Sequence, residues 1–274
     1  MNPKDLDGLP VALSGKAQSA LASELEAHRL RGEGKIDQAF QTFDQAARLY
    51  QEGAEPLKAA ACFAAAAQCW NIHTGWQPLR NAATRNEYAA VQALEGKDFA
   101  YAETLFDEAA LLYQKEGDAA RHSYCYVRSQ DCRLKRLWGT LTHRHARGDT
   151  VVRLAGSTRR ERVSAGISFL SGAFNGLIWG YGERPLRTVG LAAVIMMISA
   201  LLYYVSGEVL AEGFVRGISF WEALYMSVMT FASVGYGDYL PLEGARAVAA
   251  FEALAGIFLT PLFLIAMTRR FLRP

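Results

Sequence analysis

The residues best placed to do chemistry lie between Thr230 and Asp238, where the sequence reads T-F-A-S-V-G-Y-G-D. Within it, Gly235 and Gly237 are separated by one aromatic residue. Glycine reaches backbone angles closed to other residues, so a loop with alternate glycines can point successive carbonyl oxygens the same way. Backbone oxygens in such a row can replace the water shell of a cation. This stretch therefore predicts cation binding by the main chain.

The five residues from Ser233 to Gly237 resemble the selectivity filter of potassium channels, whose usual sequence is T-V-G-Y-G. Serine stands at 233 where the family usually has threonine; it keeps the hydroxyl that lines the innermost ion site and lacks a methyl group. The resemblance implies that K⁺ is the transported ion, bound at Ser233, Val234, Gly235 and Tyr236. It implies no organic cofactor.

Two apolar stretches flank this loop and are long enough to cross about 30 Å of hydrocarbon. They predict spans at 186–206 and 246–268. The apolar stretch between them, 219–232, is too short to span, and we expect a re-entrant pore helix that stops inside the membrane, followed by the filter at 233–237. This order resembles two-transmembrane potassium channels. The resemblance implies a pore domain at 185–274 and a homotetramer around one pore.

Basic residues flank both predicted spans. Arg184 precedes the first, Arg187 lies at its very start, and Arg269 and Arg270 follow the second. Because cytosolic flanks of spans are enriched in lysine and arginine, we expect both termini to be cytoplasmic. The first fifteen residues contain no apolar core of the length that a secretory signal needs. These features predict a multi-pass protein of the cell (inner) membrane.

Three residues are predicted to support the filter: Thr230, Asp238 and Glu252. Glu252 is the only charged residue between 247 and 267, and ionisable groups within spans are usually functional. Our hypothesis is that Glu252 lies behind the filter, hydrogen-bonded to Thr230 or Ser227, and tunes the pH dependence of conduction. Asp238 either concentrates cations at the outer mouth or braces the filter through a hydrogen bond.

Gly256 and Pro261 are the candidate gating residues in the second span. Glycine within a helix costs about 1 kcal/mol relative to alanine, and proline removes a backbone hydrogen bond, so a bend is expected there. In the family that the filter resembles, a glycine at a comparable distance after the filter acts as a hinge. The alternative is that Gly256 permits close helix packing.

The amino-terminal part, 16–140, is rich in alanine and carries large apolar residues every three or four positions. This pattern predicts a stack of amphipathic helices. The pattern repeats after 63 residues, which predicts an internal duplication of three helices per copy; the matched pairs are Ala39/Ala102, Phe43/Phe106, Ala46/Ala109, Ala47/Ala110, Leu49/Leu112, Tyr50/Tyr113, Cys62/Cys125 and Cys69/Cys132.

One helix of each copy, beginning near Gly34 and Gly96, resembles the second helix of a tetratricopeptide repeat. We therefore predict an all-α protein, in which a cytosolic tetratricopeptide-like α-solenoid of about six helices precedes a membrane pore domain. The pore domain has two transmembrane helices and the re-entrant pore helix.

Three further segments complete the predicted organisation. Residues 1–15 are expected to be disordered. Residues 141–162 form a basic linker that either contacts anionic lipid headgroups or is solvated. Residues 163–184 are predicted to lie along the membrane surface as an amphipathic segment, because Trp179 and Tyr181 suit the headgroup level. This placement resembles the slide helix of the same channel family.

The four cysteines lie in the cytosolic part, where thiols stay reduced, and we expect no disulfides. Each pair is seven residues apart, two helical turns, so its thiols share a face. They are interpreted as packing residues, with a metal or redox site near His73 or His122 as the alternative. The loop at 71–78, with Trp70 just before it and Trp76 within it, is interpreted as a core contact or, alternatively, as a ligand or peptide site.

The remaining observations narrow the function. A net charge of +2 is too small to predict nucleic-acid binding. The sequence shows no catalytic cluster of nucleophile, base and orienting residue and no phosphate-binding glycine loop, so we predict no enzyme. We predict a potassium-selective channel that contacts membrane lipids. Its helical domain either assembles the channel or regulates it in response to a small molecule or a protein. The alternatives are a weakly selective cation channel and a membrane-anchored scaffold with a vestigial pore.

Overall fold

A computed structural model of the chain describes residues 15–72, 77–142, 159–206, 209–211 and 214–271. The chain divides into two compact units, Met1–Gly172 and Ala173–Arg273. The predicted disordered terminus, apart from Gly15, and most of the predicted linker at 141–162 lie outside the described residues, as do His73 and Trp76.

Between residues 15 and 142, the described part of the first unit forms six consecutive helices, each packed against the next along the chain. They are α1 Gly15–Gly32, α2 Ile36–Glu52, α3 Pro56–Ile72, α4 Pro78–Glu95, α5 Phe99–Glu116 and α6 Ala119–Thr142. The starts of α4, α5 and α6 each fall 63 residues after those of α1, α2 and α3. The duplication of three helices that the sequence predicts is therefore present in the fold.

The duplicated residues occupy equivalent places in the core. Phe43 and Phe106 are fully buried, and so are all four cysteines. The correspondence extends to polar contacts: the Tyr50 hydroxyl donates to Glu24 at 2.6 Å and the Tyr113 hydroxyl donates to Glu87 at 2.8 Å. A cation lies 5.6 Å from each tyrosine ring, Lys58 in the first copy and Arg121 in the second.

The turn before the second helix of each copy shows which residues of the two copies correspond. Gly34 and Lys97 both have positive φ, 76° and 59°, at equivalent positions. The sequence comparison paired Gly34 with Gly96, which is one residue too early. Gly96 has another role, because a Cβ atom there would come within 2.5 Å of the Leu57 side chain.

Burial determines the pKa values of the cysteine thiols and, through them, their reactivity. Desolvation raises the pKa of Cys62 and Cys125 to about 12 and that of Cys132 to about 11. Such thiols are poor nucleophiles and poor metal ligands, since both roles need the thiolate. Within the described ranges, no group of three or more histidine, cysteine or acidic residues is placed to hold a metal ion.

The next helix among the described residues, α7, covers Arg159–Trp179 and leads into a 3₁₀ turn at Gly180–Gly182. In the first unit, its Phe169 packs on Trp138 of α6 with ring centroids 5.3 Å apart. The stretch Val163–Gly182 is one of three among the described residues that are long and apolar enough to cross a membrane, although the sequence suggested an interfacial position. The interfacial placement of 163–184 stays a prediction.

The second unit contains the other two candidate spans. Helix α8 covers Pro185–Ser206, α9 covers Phe220–Phe231 and α10 covers Glu243–Phe271, and these three pack against one another. Helix α10 continues through Pro261. The predicted all-α class is confirmed.

A small antiparallel sheet, which the sequence did not predict, joins the connections between these helices. Its strands are β1 Val209–Ala211, β2 Phe214–Arg216 and β3 Tyr239–Pro241, with β1 in the middle. Strands of three residues are too short to show an alternating pattern, which explains why they were missed.

Candidate functional site

The site begins with α9, the predicted pore helix, whose start is fixed by a reciprocal cap. The backbone N–H of Glu222 donates to Ser219 Oγ at 3.3 Å, and the backbone N–H of Ser219 donates to the Glu222 carboxylate at 2.7 Å. This capping box satisfies two N–H groups that a helix start leaves without partners. At 1.5 Å per residue the helix is roughly 18 Å long, too short to cross a bilayer.

The end of α9 is made by the first residues of the predicted filter. The backbone N–H of Val234 donates to Met229 O and that of Ser233 donates to Thr230 O, both at 3.0 Å. This pair of bonds is a Schellman motif, in which the residue after the helix adopts a left-handed conformation and is usually glycine. Here that residue is Ser233, with φ of 56°.

Left-handed conformations then recur at every second residue of the loop. The φ angles of Ser233, Gly235 and Gly237 are 56°, 53° and 79°. Val234 and Tyr236, which lie between them, are not among the residues with positive φ, so the sign of φ alternates along the loop. The glycines are required by these angles and not by crowding, since a Cβ atom at either position would meet no other described atom within 4 Å.

The side chains of the loop are open to solvent in the single chain. Val234 is 49% exposed and Tyr236 is 71% exposed. Asp238, at the far end, lies near Tyr225 of α9 and interacts with it electrostatically. The bracing role that the sequence allowed for Asp238 would use this contact and stays a prediction.

Glu252 is fully buried in α10 and faces both other helices of the unit. Its carboxyl group contacts the Ser227 hydroxyl on α9, one of the two predicted partners, and accepts a hydrogen bond of 2.7 Å from the Tyr203 hydroxyl on α8. Thr230, the other predicted partner, donates within its own helix to Met226 O at 2.8 Å. Glu252 therefore connects three helices by side-chain hydrogen bonds.

Counting protons defines how this cluster is bonded. Ser227 Oγ lies 2.8 Å from Met196 O of α8 and also contacts Glu252 Oε1. A serine hydroxyl has one proton, so it cannot donate to both oxygens. Both contacts are hydrogen bonds only when Glu252 is the neutral acid and donates to Ser227, which then donates to Met196.

Sequence reasoning missed Tyr203. It lies near the end of the first span beside Tyr204, a position that suggests an aromatic residue at the headgroup level. The available signal was Glu252 itself, because a buried acid needs donors and the neighbouring helices offer few.

The two candidate gating residues have different surroundings. Gly256 is buried against the backbone of Phe231, the last residue of α9. This is the close packing that the sequence offered as the alternative to a hinge. Pro261 lies five residues further along α10, at an exposed position. The gating role of both residues stays a prediction.

The carboxyl-terminal part of the chain, which contains the loop, is similar to a known protein family. Residues 191–273 match the family model described as "Ion channel". The matched region contains α9, the loop and α10 completely, and most of α8. No curated protein and no solved structure matches the chain at a significant level.

Proposed function

We propose that the chain is one subunit of a potassium-selective channel, in which the residues Ser233–Gly237 bind K⁺ through backbone oxygens. The observation that carries this proposal is the loop itself: left-handed φ at alternate residues, directly after a half-length helix. The match of residues 191–273 to an ion channel family supports it independently.

The pore needs more than one copy of the chain. Irregular backbone is tolerated at membrane depth only inside protein or beside a watery cavity. In the single chain Tyr236 is 71% exposed, so one subunit does not enclose its own loop. The resemblance to two-transmembrane potassium channels implies four copies, whose loops converge on one axis.

The α9 helices add a favourable electrostatic term. Each ends at the loop, and the carboxyl end of a helix carries a partial negative charge of about half an elementary charge. In a tetramer the four ends face the same central space and favour a cation there. Glu252 then lies behind the loop, where its bonds to Ser227 and Tyr203 hold α9 in place.

The amino-terminal solenoid is proposed to regulate or assemble the pore from the cytosol. Stacked helices of this kind present extended surfaces to partners. The arginines near the ends of the two spans support a cytosolic position for both termini.

Reconstitution of the full chain into liposomes, with K⁺ and Na⁺ flux measured side by side, tests the proposal. We expect K⁺ flux with strong discrimination against Na⁺, and loss of flux in Gly237→Ala, because alanine is strained at φ of 79°. Gly190→Ala in α8 is the matched control, since a Cβ atom there meets nothing within 4 Å. Equal K⁺ and Na⁺ flux would indicate a weakly selective channel, and no flux would favour the scaffold.

A second comparison tests the role of the solenoid. Deleting residues 1–140 should leave ion preference unchanged and alter either the fraction of open channels or the yield of tetramer. If both quantities match those of the full chain, the solenoid neither regulates nor assembles the pore.

A further inference from the structure

The outer end of the loop is attached to the start of α9 by one carboxylate. Glu222 Oε1 accepts hydrogen bonds from the Arg216 guanidinium at 2.7 Å and from the Tyr239 hydroxyl at 3.1 Å. Its other oxygen accepts the cap bond from the Ser219 backbone. Tyr239 is the residue that directly follows Asp238, so this contact closes the loop back onto the helix it came from.

The small sheet brings these residues together. Strand β1 pairs with β2 so that Val209 is opposite Arg216, and with β3 so that Ala211 is opposite Tyr239. The Arg216 guanidinium also lies over the Tyr239 ring, 5.8 Å from its centroid. Glu222, Arg216 and Tyr239 are called the clasp below.

A second contact reinforces the clasp from the same helix. The Tyr225 ring packs edge-on against the Tyr239 ring with centroids 5.9 Å apart. The loop is thus fixed at both ends to α9: at Ser233 by the Schellman motif, and at Tyr239 by Glu222 and Tyr225. Between these ends it must return roughly 15 Å along the helix axis.

We propose that the clasp is a positioning device that holds the outer half of the loop in the conformation that discriminates K⁺ from Na⁺. This inference rests on the proposed function. Because ion preference depends on where the carbonyl oxygens are held, an unfastened outer end should lower discrimination before it affects folding. Pairs at the surface add little to overall stability, so the subunits should still fold and assemble without the clasp.

The charge of Glu222 is maintained by the clasp. The hydrogen bond from Arg216, followed by those from Ser219, lowers the pKa of Glu222 to about 2. A carboxyl group whose pKa is lowered in the folded state keeps its interaction above the usual carboxylate range and loses it only as the pH falls toward the lowered value. Mild acid should therefore leave the clasp closed.

The test uses the full chain in liposomes and compares four variants with wild type. Arg216→Gln and Tyr239→Phe each remove one clasp bond, and we expect each to lower the K⁺/Na⁺ permeability ratio about fivefold at unchanged tetramer yield. Arg216→Lys retains the cation and should recover part of the loss. Tyr204→Phe, which removes a hydroxyl from a tyrosine packed on Phe220 at the same end of α9, is the matched control.

The proposal is overturned if Tyr239→Phe and Arg216→Gln assemble normally and keep the wild-type ratio, or if Tyr204→Phe lowers the ratio equally. A wild type that fails to discriminate would instead contradict the proposed function. In that case amide hydrogen exchange across 233–241 tests whether the clasp holds the loop, independently of ion selectivity. Faster exchange in Tyr239→Phe than in wild type supports it, and equal exchange overturns it.

Discussion

A methyl group built on Gly256 would lie 1.9 Å from the carbonyl oxygen of Phe231, so the middle of α10 touches the last residue of α9 backbone to backbone. Four residues earlier on each helix, Glu252 contacts Ser227. The two contacts lie on one face of α10. They fix the end of α9, and with it the start of the loop, against the helix that is proposed to gate.

Gly256→Ala should therefore disturb the loop. The added methyl must displace backbone, and overpacking of this kind costs about 1–3 kcal/mol or more. We expect a less stable tetramer and weaker K⁺ flux, measured by thermal dissociation in detergent and by flux in liposomes. Gly190→Ala is the control. A Gly256→Ala protein with wild-type stability would show that α9 does not contact α10 this closely in the assembled channel.

The Glu252→Gln variant should conduct nearly as well as the wild type. The glutamine amide can donate to Ser227 and accept from Tyr203, as the neutral acid does. Glutamine cannot ionise, so any change of wild-type conduction with pH that depends on the Glu252 carboxyl group should be absent from Glu252→Gln. Flux measured across a pH series in both proteins checks the prediction, and identical pH profiles would contradict it.

Glu252→Met separates the hydrogen bonds from the volume of the side chain. Methionine fills similar space but leaves the Tyr203 hydroxyl without its acceptor. An unsatisfied buried polar group costs about 1–3 kcal/mol. We expect a lower dissociation temperature for Glu252→Met than for Glu252→Gln; the reverse order would mean that the bonds contribute nothing to the helix contacts.

The Ser233→Thr protein should be less stable than the wild type, although threonine is usual at this position in the potassium channels that the loop resembles. Residue 233 has φ of 56°, and β-branched side chains are poorly accommodated in the left-handed region. The expected cost for Ser233→Thr is about 1–2 kcal/mol. Ser233→Gly should keep the helix end intact. Thermal dissociation of the three proteins provides the comparison, and a threonine variant at least as stable as wild type would contradict it.

The four cysteines should resist thiol reagents in the native protein. Burial raises their pKa values, to about 12 for Cys62 and Cys125, so almost no thiolate is present at neutral pH. Maleimide labelling should be slow before denaturation and complete after it. Rapid labelling of the native protein would show that the solenoid opens at these positions.

The same shifts predict how the solenoid responds to alkali. When folding raises the pKa of a thiol, the thiol ionises at a lower pH in the unfolded chain than in the folded one. Ionisation therefore stabilises the unfolded state. Stability should therefore decline as the pH rises from about 9 toward 12. Unfolding measured by circular dichroism over this range tests it, and replacing Cys62 and Cys125 with alanine should reduce the slope.

Local and periodic features of the chain were readable from the sequence. The spacing of Gly235 and Gly237 reflects a requirement on single backbone angles, and the observed φ values meet it. The duplication with an offset of 63 residues reflects helix packing that repeats along the chain, and the helix boundaries follow it. The spans are set by length and apolar composition. None of these needs a distant partner to be recognised.

Only the tertiary structure decided which distant residues meet. The sequence identified Glu252 as a buried acid but not Tyr203, 49 positions away, as its donor. It offered two roles for Gly256, and the contact with Phe231 supports packing. The clasp joins Arg216, Glu222 and Tyr239 through three-residue strands too short to leave a pattern. Such contacts depend on how helices and strands pack in space, and no periodicity along a single chain records that.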